Sequence, residues 1–357
     1  MRNKLVAIFA LFLVVAAFWV FELDHPIAEV DPKYTNVASQ FLALPDGTRV
    51  HFRDQGDPAG YPLVLLHGSN ASLHTWEPWV AQLGTSYRVV TLDLPGHGLT
   101  GRTPSDDYSN EAYIKTVAAV TQHLQLDRFV LGGNSMGGGV TWRYALAHPE
   151  QVSAMVLVSA SGLPAWRGEG RERESRDTDK KDRRESRDTD KKDRDTDKKE
   201  NIKESGRDVA TSAPLAFRLL RQSWFQSIAR YIDPYYLVAQ GLRASHFDAS
   251  MVDEALIARY YDLSVRAGTR DATLKRFASF GSDSPDLDLD LSELHQPTLV
   301  LWGEHDNVIP SSTALRFRAA LMQADVVIYP DVGHIAMEEV PVRSATDVRR
   351  FLAEHQL

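Results

Sequence analysis

Short runs of aliphatic residues recur along most of the chain, and segments of helix length separate them. The runs are PLVLLHG, YRVVTLDLPG, RFVLGGN, SAMVLVSA, PTLVLWGE and ADVVIYP. Runs of this length, bounded by glycine, proline or acidic residues, are typical of strands buried on both faces of a mostly parallel sheet. Segments such as 111–124 and 135–147 have the length of helices. The alternation predicts an α/β fold in which helices flank a mostly parallel central sheet.

A hairpin is predicted before the first of these runs. The stretch FLALPDGTRVHFRD contains two strand-like segments with Asp46 and Gly47 between them. An Asp-Gly pair favours the positive backbone angles of a tight hairpin turn, so two antiparallel strands are expected here.

The segment 209–285 interrupts the alternation, because it is rich in helical patterns and lacks a convincing buried strand. It separates SAMVLVSA from PTLVLWGE and therefore predicts a helical cap inserted before the last two strands. Five aromatic residues of this segment have two interpretations, the wall of an apolar pocket or the core of the cap itself. They are Trp224, Phe225, Tyr231, Tyr235 and Tyr236. Trp76 and Trp79 likewise either border the pocket or pack internally.

A charged repeat fills the segment 166–208. The sequence RESRDTDKKDR occurs at 173–183 and again at 184–194, and no aliphatic or aromatic residue lies within 171–200. Such a segment buries no apolar area to offset its conformational entropy, which predicts a solvated loop or a lone charged helix. Docking to charged lipid head groups or to a partner is the less favoured alternative.

The first residues are not expected to belong to the globular fold. Two basic residues precede an uncharged apolar run over 5–21, and acidic residues follow it. The run is at the short end of what spans a bilayer, and this order of charges favours a cytoplasmic amino end. We predict that 1–23 is an uncleaved signal anchor, with the catalytic part on the periplasmic or extracellular side. The alternative is secretion after cleavage of a signal peptide.

Composition excludes several classes of function. The net charge of −8 argues against a nucleic-acid binder, and the absence of cysteine excludes thiol catalysis, disulfides and cysteine-ligated metals. No helix carries two histidines and a carboxylate at metal-binding spacing, and no glycine-rich phosphate cradle with its lysine is present. We therefore expect neither a metal nor a cofactor.

The stretch LGGNSMGGG, residues 131–139, follows an apolar run and precedes a predicted helix. Gly133, Ser135 and Gly137 fit the pattern G-x-S-x-G, in which small residues let the backbone fold back tightly beside a serine. The serine then projects above the sheet. This placement predicts that Ser135 is a nucleophile.

A serine hydroxyl needs a base, and the base needs an orienting acid. Asp306 follows the strand-like run in LVLWGEHDNVIP, and His334 follows the next one in VVIYPDVGHIAMEE. Glu304 is the alternative acid, because it lies two residues before Asp306. The chain order Ser, Asp, His is the one found in α/β hydrolases.

Together these motifs resemble those of α/β-hydrolase-fold serine hydrolases with a helical cap. VLLHGSNAS is similar to the His-Gly turn of that superfamily, and DLPGHGLTG is similar to its Asp-x-Pro-Gly-x-Gly segment. The resemblance covers the core segments 36–165 and 286–357 together with the cap. It implies that Ser135 is the nucleophile, that His334 is the general base and later acid, and that Asp306 orients the imidazole. It also implies an oxyanion hole formed by the backbone N–H groups of Ser69 and Met136.

The resemblance implies a reaction as well as a site. The expected function is cleavage of a small, mostly apolar ester, lactone or thioester through an acyl-enzyme on Ser135. The expected partners are a small-molecule acyl substrate and, through the N-terminal segment, a membrane, but no nucleic acid. Three alternatives stay open: hydrolysis of carbon–carbon bonds in ring-fission-type diketone acids, acyl transfer to an acceptor other than water, and a non-catalytic binding protein. Similar elbows occur in the carbon–carbon bond hydrolases, whereas a serine nucleophile argues against dehalogenases and epoxide hydrolases.

Overall fold

The computed structural model describes residues 21–163, 222–279 and 289–357. All but the last three residues of the predicted signal anchor, 1–23, lie outside these ranges, as does the whole charged segment 166–208. Within the described ranges, no helix is both long enough and apolar enough to span a bilayer.

The centre of the fold is one eight-stranded sheet in the order β1-β2-β4-β3-β5-β6-β7-β8. The strands are β1 Ser39–Ala43, β2 Arg49–Gly56, β3 Tyr61–Leu66, β4 Tyr87–Leu92, β5 Phe129–Asn134, β6 Val152–Val158, β7 Thr298–Gly303 and β8 Ala324–Tyr329. The hairpin β1–β2 is antiparallel, as is the pair β2–β4, and all other neighbours are parallel. The predicted α/β fold is confirmed.

The long aliphatic runs form strands because both faces of the sheet are covered. Every residue of β5, β6 and β7 is buried. In β3, Leu63 and Leu65 pack into the apolar layer on one side of the sheet, and Val64 and Leu66 pack into the layer on the other side. Two buried faces remove the polar alternation that a half-exposed strand would show.

Helices flank the sheet on both sides. The helices of the described ranges, including those outside the two layers on the sheet, are α1 Ile27–Tyr34, α2 Glu77–Leu83, α3 Asn110–His123, α4 Met136–Ala147, α5 Ser223–Ala229, α6 Tyr235–Ser245, α7 Glu254–Val265, α8 Thr269–Ser279, α9 Ser312–Ala320, α10 Ala336–Glu339 and α11 Pro341–Glu354. Residues of α2 and α11 pack into one apolar layer, and those of α3, α4 and α9 pack into the other. The predicted helices 111–124 and 135–147 correspond to α3 and α4.

Helices α5 to α8 lie between β6 and β7 along the chain, which confirms a helical cap inserted before the last two strands. The cap has a small apolar core of its own, in which Ala239 and Leu242 of α6 contact Ile257 of α7.

The fold begins earlier than the predicted core boundary at residue 36. Residues 21–34, which we call the N-terminal strap, pack against the cap helices α7 and α8. The carboxylate of Asp24 accepts from Arg270 Nε at 2.8 Å, and that of Asp31 accepts from Arg266 Nε at 2.6 Å. Helix α1 contains a proline and buries only Val30, so its pattern gave no amphipathic signal. Ion pairs with residues more than 200 positions away hold the strap in place, and the sequence pattern does not predict such pairs.

Trp76 and Trp79 pack internally rather than at a pocket mouth. Both side chains are fully buried, and their ring centroids lie 5.0 Å apart. The indole Nε1 of Trp79 donates to Ser344 Oγ of α11 at 2.9 Å. These two tryptophans therefore join α2 to the carboxyl-terminal helix.

Candidate active site

Ser135 lies in the tight turn between β5 and α4, with φ of 51° and ψ of −115°. L-residues rarely adopt this conformation, and the surrounding backbone must hold it in place. A Cβ at Gly133 would lie 2.3 Å from the carbonyl of Gly137, and a Cβ at Gly137 would lie 2.3 Å from the carbonyl oxygen of Leu66. Only glycine fits at both positions, so the G-x-S-x-G spacing is a steric requirement of the turn.

Hydrogen bonds fix the strained residue in place. The N–H of Ser135 donates to the carbonyl of Val158 at 2.9 Å, and the carbonyl of Ser135 accepts from the N–H of Ser161 at 2.9 Å. The neighbouring Asn134 donates from its side-chain amide to the carbonyl of His334 at 3.2 Å. The turn that carries Ser135 is thereby tied directly to the loop that carries His334.

His334 and Asp306 form a buried pair at the carboxyl ends of β8 and β7. The Nδ1 of His334 lies 2.8 Å from Asp306 Oδ2. Burial alone would raise the pKa of Asp306, but hydrogen bonds from His334 and from two backbone N–H groups bring it below its ordinary value. A carboxylate at Nδ1 fixes the tautomer that leaves Nε2 free to act as a base. Glu304, the alternative acid, is exposed to solvent.

The loop of His334 is also bound to the cap. Its backbone N–H donates to the carbonyl of Ser245, the last residue of α6, at 2.7 Å. The carboxylate of Glu339 accepts from the backbone N–H groups of Gly333 at 2.9 Å and Phe247 at 2.7 Å. Burial raises the pKa of Glu339, while these hydrogen bonds oppose the increase. Cap and catalytic loop are therefore positioned as one unit.

Ser135 and His334 open onto the same pocket, whose cavity volume is about 60 Å³. Its described lining residues are Gly68, Ser69, Ala71, Thr75, Asn134, Ser135, Leu242, Ser245, Tyr260, His334 and Ile335. The pocket lies at the carboxyl ends of β3 and β5, where the strand order reverses direction, which is the usual ligand site of an open α/β sheet.

The predicted oxyanion donors lie next to Ser135 and in the pocket lining, and their hydrogen-bonding capacity is unused: Met136 follows Ser135 in the chain, and Ser69 lines the pocket. Within the described ranges, the N–H groups of Ser69 and Met136 donate to no other group. A Cβ at Gly68 would lie 3.3 Å from Ser135 Cβ and 2.7 Å from Asn134 Oδ1, so the loop after β3 approaches the elbow closely. Asn70, which follows Ser69 in this loop, has a positive φ of 60°.

Sequence reasoning missed Arg276, which reaches from cap helix α8 to this loop. Its guanidinium donates to Ser69 Oγ at 3.1 Å and to Asn70 Oδ1 at 2.9 Å, and the residue is only 8% exposed. Burial lowers its pKa from the ordinary value. An arginine in a polar helix is usually exposed, so the sequence of α8 did not predict that Arg276 would be buried against the loop of Ser69.

The pocket wall between core and cap contains a second contact that sequence reasoning did not identify. Glu338 accepts hydrogen bonds from the hydroxyl of Thr75 in the core and from the hydroxyl of Tyr260 in α7. Both hydroxyl-bearing residues line the pocket. Burial and the neighbouring carboxylate of Glu338 raise the pKa of Tyr260, which keeps the phenol neutral.

His67 has a structural position. Its Nδ1 lies 2.7 Å from the carbonyl of Gly68, and its Nε2 accepts from the N–H of Leu94 at 3.0 Å. Both ring nitrogens are therefore engaged with the backbone, and burial lowers the pKa of His67. The ring joins the loops that follow β3 and β4. Within the described ranges, no group of three or more metal-binding side chains is found.

The cap aromatics neither line the pocket nor form the core of the cap. Trp224, Tyr231, Tyr235 and Tyr236 are between 42% and 70% exposed, and Phe225 is partly buried. Both interpretations of the sequence were wrong for the four exposed residues. An aromatic side chain can be buried or exposed, and its residue type does not decide which. The orientation of α5 and of the start of α6 decides which of these side chains face outwards.

Comparison with known proteins gives a consistent result. A model of the alpha/beta hydrolase fold matches residues 61–341. The 2-hydroxymuconate semialdehyde hydrolase of Pseudomonas sp. (strain CF600) is 24% identical, over 86% of this chain and 92% of its own. The 2-hydroxy-6-oxo-2,4-heptadienoate hydrolase of Pseudomonas putida is 25% identical, over 84% and 92% respectively. A solved structure of a membrane phospholipase A, a bacterial virulence factor, superposes with a TM-score of 0.63 at 23% identity, over 100% and 99%.

The backbone strain at Ser135 predicts an unusual order of stability among variants. We expect Ser135→Gly to be more stable than Ser135→Ala by roughly 1–2 kcal/mol, because only glycine adopts a positive φ without steric cost. Urea unfolding of both variants measures the difference. Ser153, buried in β6 with a negative φ, is the matched control. There the glycine variant should be less stable than the alanine variant, and the same order at both sites would contradict the assigned strain.

Proposed function

The chain belongs to the alpha/beta hydrolase family, and on that basis we propose that it cleaves a small, mostly apolar ester, lactone or thioester through an acyl-enzyme on Ser135. That the chain is a hydrolase follows from the family and from its named relatives. The observation that carries the proposal is one pocket onto which Ser135 and His334 both open, with Asp306 bound to the far nitrogen of the imidazole.

The proposed reaction proceeds in two halves. In the first, Ser135 Oγ attacks the acyl carbon, His334 Nε2 takes the hydroxyl proton, and the same nitrogen then protonates the leaving group. In the second, His334 activates a water molecule that attacks the acyl-enzyme and restores the serine. Asp306 stabilises the imidazolium that forms in each half. The N–H groups of Ser69 and Met136 stabilise the developing oxyanion, because they lie beside Ser135 and the pocket and lack another acceptor.

The character of the pocket supports a neutral acyl substrate. Among the described lining residues, Ala71, Leu242 and Ile335 are apolar, the hydroxyl and amide groups are uncharged, and no lysine, arginine, aspartate or glutamate is present. A buried anionic substrate group needs a charged or multiply hydrogen-bonded partner. Arg276 lies behind the oxyanion loop and is bound to it.

Carbon–carbon bond hydrolysis is the second candidate, and the curated relatives support it more directly than ester cleavage. Both relatives described above are named as hydrolases of dienoate or semialdehyde compounds. In that reaction the same nucleophile would attack a ketone carbon, and the carbon leaving group would take a proton. Such substrates carry a carboxylate, which the described pocket lining does not match.

A substrate panel separates the two candidates. We expect turnover of a p-nitrophenyl ester series and covalent labelling of Ser135 by a fluorophosphonate probe, with little turnover of a vinylogous ring-fission acid. The reverse preference would favour carbon–carbon hydrolysis. Absence of labelling in folded protein would indicate a non-catalytic binding protein, and product transferred to added alcohol or thiol would indicate an acyltransferase.

The three proposed catalytic residues should behave as one unit. We expect Ser135→Ala, His334→Ala and Asp306→Ala each to lower kcat by roughly 10³-fold or more, and the double variants to lose little further activity. Steady-state kinetics on the preferred ester measures this. Glu304→Ala, at the exposed neighbouring carboxylate, is the control and should retain activity. Retained activity in Asp306→Ala with loss in Glu304→Ala would reverse the assignment of the acid.

Arg276 should influence turnover by positioning the oxyanion loop. We expect Arg276→Ala to lower kcat by roughly 10- to 100-fold with little change in KM, because donors displaced from the oxyanion lose stabilisation only in the transition state. Arg270 is the matched control, since it lies on the same helix, is 7% exposed and binds Asp24 instead. Arg270→Ala should lower stability but leave kcat unchanged. Added guanidinium should restore part of kcat only in Arg276→Ala, and equal losses in both variants would indicate a general effect on the cap.

We also propose that residues 1–23 attach the protein to a membrane and place its catalytic part on the periplasmic or extracellular side. The support is the uncharged apolar run over 5–21 and the distribution of charges around it. Deleting residues 1–20 should move the protein from the carbonate-resistant membrane fraction to the soluble fraction. A full-length protein that is extracted by carbonate would contradict the anchor, and release of a shorter mature chain would favour secretion.

A further inference from the structure

Exposed apolar side chains are concentrated on one part of the surface. More than half of the exposed large hydrophobic residues in the described ranges lie within 21–27 and 224–237. Leu23 is 71% exposed and Trp224 is 59% exposed, while Tyr236 and Leu237 are each 70% exposed. A contiguous apolar patch indicates an interaction surface. We call this surface the cap aromatic face and define it by six residues: Phe21, Leu23, Trp224, Tyr231, Tyr236 and Leu237.

Backbone contacts bring the two stretches together. Phe21 makes an antiparallel β-bridge with Ile232, which lies in the connection between α5 and α6. The N–H of Glu22 donates to the carbonyl of Tyr231 at 2.8 Å. These backbone contacts hold the start of the N-terminal strap beside the aromatic residues of the cap.

The strap is fixed to the cap rather than lying loosely over it. The carboxylate of Asp24 accepts from Arg270 Nε at 2.8 Å and from the N–H of Gly268 at 3.0 Å. The N–H of His25 donates to the carbonyl of Val265 at 2.7 Å. The part of the face that belongs to the strap is therefore held in a fixed position against the cap, and its apolar side chains are exposed.

The position of the apolar run in the sequence indicates what covers this surface. The described ranges begin at Phe21, inside the face, and the uncharged apolar run of the sequence covers 5–21. A segment of that composition partitions into lipid, so the face lies at the point where the chain would enter a bilayer. Tryptophan and tyrosine are the residues preferred at the head-group level, because their rings are apolar while their N–H and O–H groups stay hydrated.

We propose that the cap aromatic face lies on the phospholipid bilayer, with Trp224, Tyr236 and Leu237 inserted at the level of the head groups and upper acyl chains. Among the described residues next to the face in sequence, Glu22, Asp24 and Asp233 are acidic and Arg230 is basic. Their charges do not favour an anionic surface, so apolar burial drives the contact. Docking should therefore depend little on the fraction of anionic lipid or on salt.

Helix α6 connects this face to the pocket. It begins with Tyr235 and Tyr236 at the face and ends at Ser245, which lines the pocket and binds the backbone of His334. Eleven residues of α-helix span about 16 Å, so the pocket lies within the length of an acyl chain from the surface. If the proposed serine hydrolase acts as described, this arrangement would favour acyl substrates that reside in the bilayer.

The absence of native cysteine permits a direct test of the contact. Leu237→Cys, labelled with bimane, is placed in the full-length chain and reconstituted into phosphatidylcholine vesicles. Acyl-chain-brominated lipid should quench this label several-fold and protect it from aqueous iodide. Val342→Cys is the matched control, because Val342 is 61% exposed on α11 of the core. Its label should be open to iodide and insensitive to brominated lipid.

Each outcome decides the proposal without any measurement of activity. Quenching by brominated lipid at 237 but not at 342 supports docking. Equal quenching at both positions, or none at 237, overturns it. Protection from iodide at 237 without lipid quenching also overturns it, because another part of this chain or a second copy would then cover the face.

A kinetic measurement links docking to substrate access. Trp224→Ser/Tyr236→Ser in the full-length chain should lower turnover of a vesicle-embedded ester at least tenfold and leave turnover of a water-soluble ester unchanged. Leu315→Ser/Val342→Ser, on exposed core helices, should change neither rate. If Trp224→Ser/Tyr236→Ser changed the turnover of both esters by the same factor, delivery of substrate from the bilayer would be overturned. If the wild type cleaves no ester, the proposed function fails while the bimane measurement still tests docking.

Discussion

The close approach of glycine backbone around Ser135 is the constraint on which the rest of the site depends. Gly133 and Gly137 touch each other and the end of β3 so tightly that no side chain fits between them. The chain can therefore reverse from β5 into α4 within one residue and hold Ser135 at a positive φ. The loop after β3 that carries Ser69, the imidazole of His334 and the pocket are all arranged around this turn.

Cap and core share the task of positioning the groups around that serine. The last residue of α6 accepts a hydrogen bond from the N–H of His334, and Glu339 joins the same loop to Phe247 just beyond that helix. On the opposite side, Arg276 of α8 holds the loop of Ser69. The N-terminal strap binds α7 and α8 through Asp31 and Asp24. One connected set of contacts thus extends from the surface beside Phe21 to the oxyanion loop.

Several properties followed from the sequence because they depend on neighbours along the chain. Six aliphatic runs predicted the strands β3 to β8, and the Asp-Gly turn at residues 46 and 47 predicted the hairpin of β1 and β2. The serine elbow was recognisable because its glycines lie two residues away on either side. The cap aromatics, the strap and Arg276 were missed or misjudged, since their environments are set by residues more than 200 positions away or by the tilt of a helix.

The sequence by itself determined the α/β fold, the position of the cap in the chain, the serine turn and the candidate acid and base, because each is encoded by local spacing and strand ends. The tertiary structure alone decided that Asp306 rather than Glu304 contacts His334, since both residues follow β7 and only one side chain points inwards. It also decided that Trp76 and Trp79 are core residues and that Trp224 and Tyr236 face outwards. Burial is a property of the packed molecule, and residue type alone does not specify it.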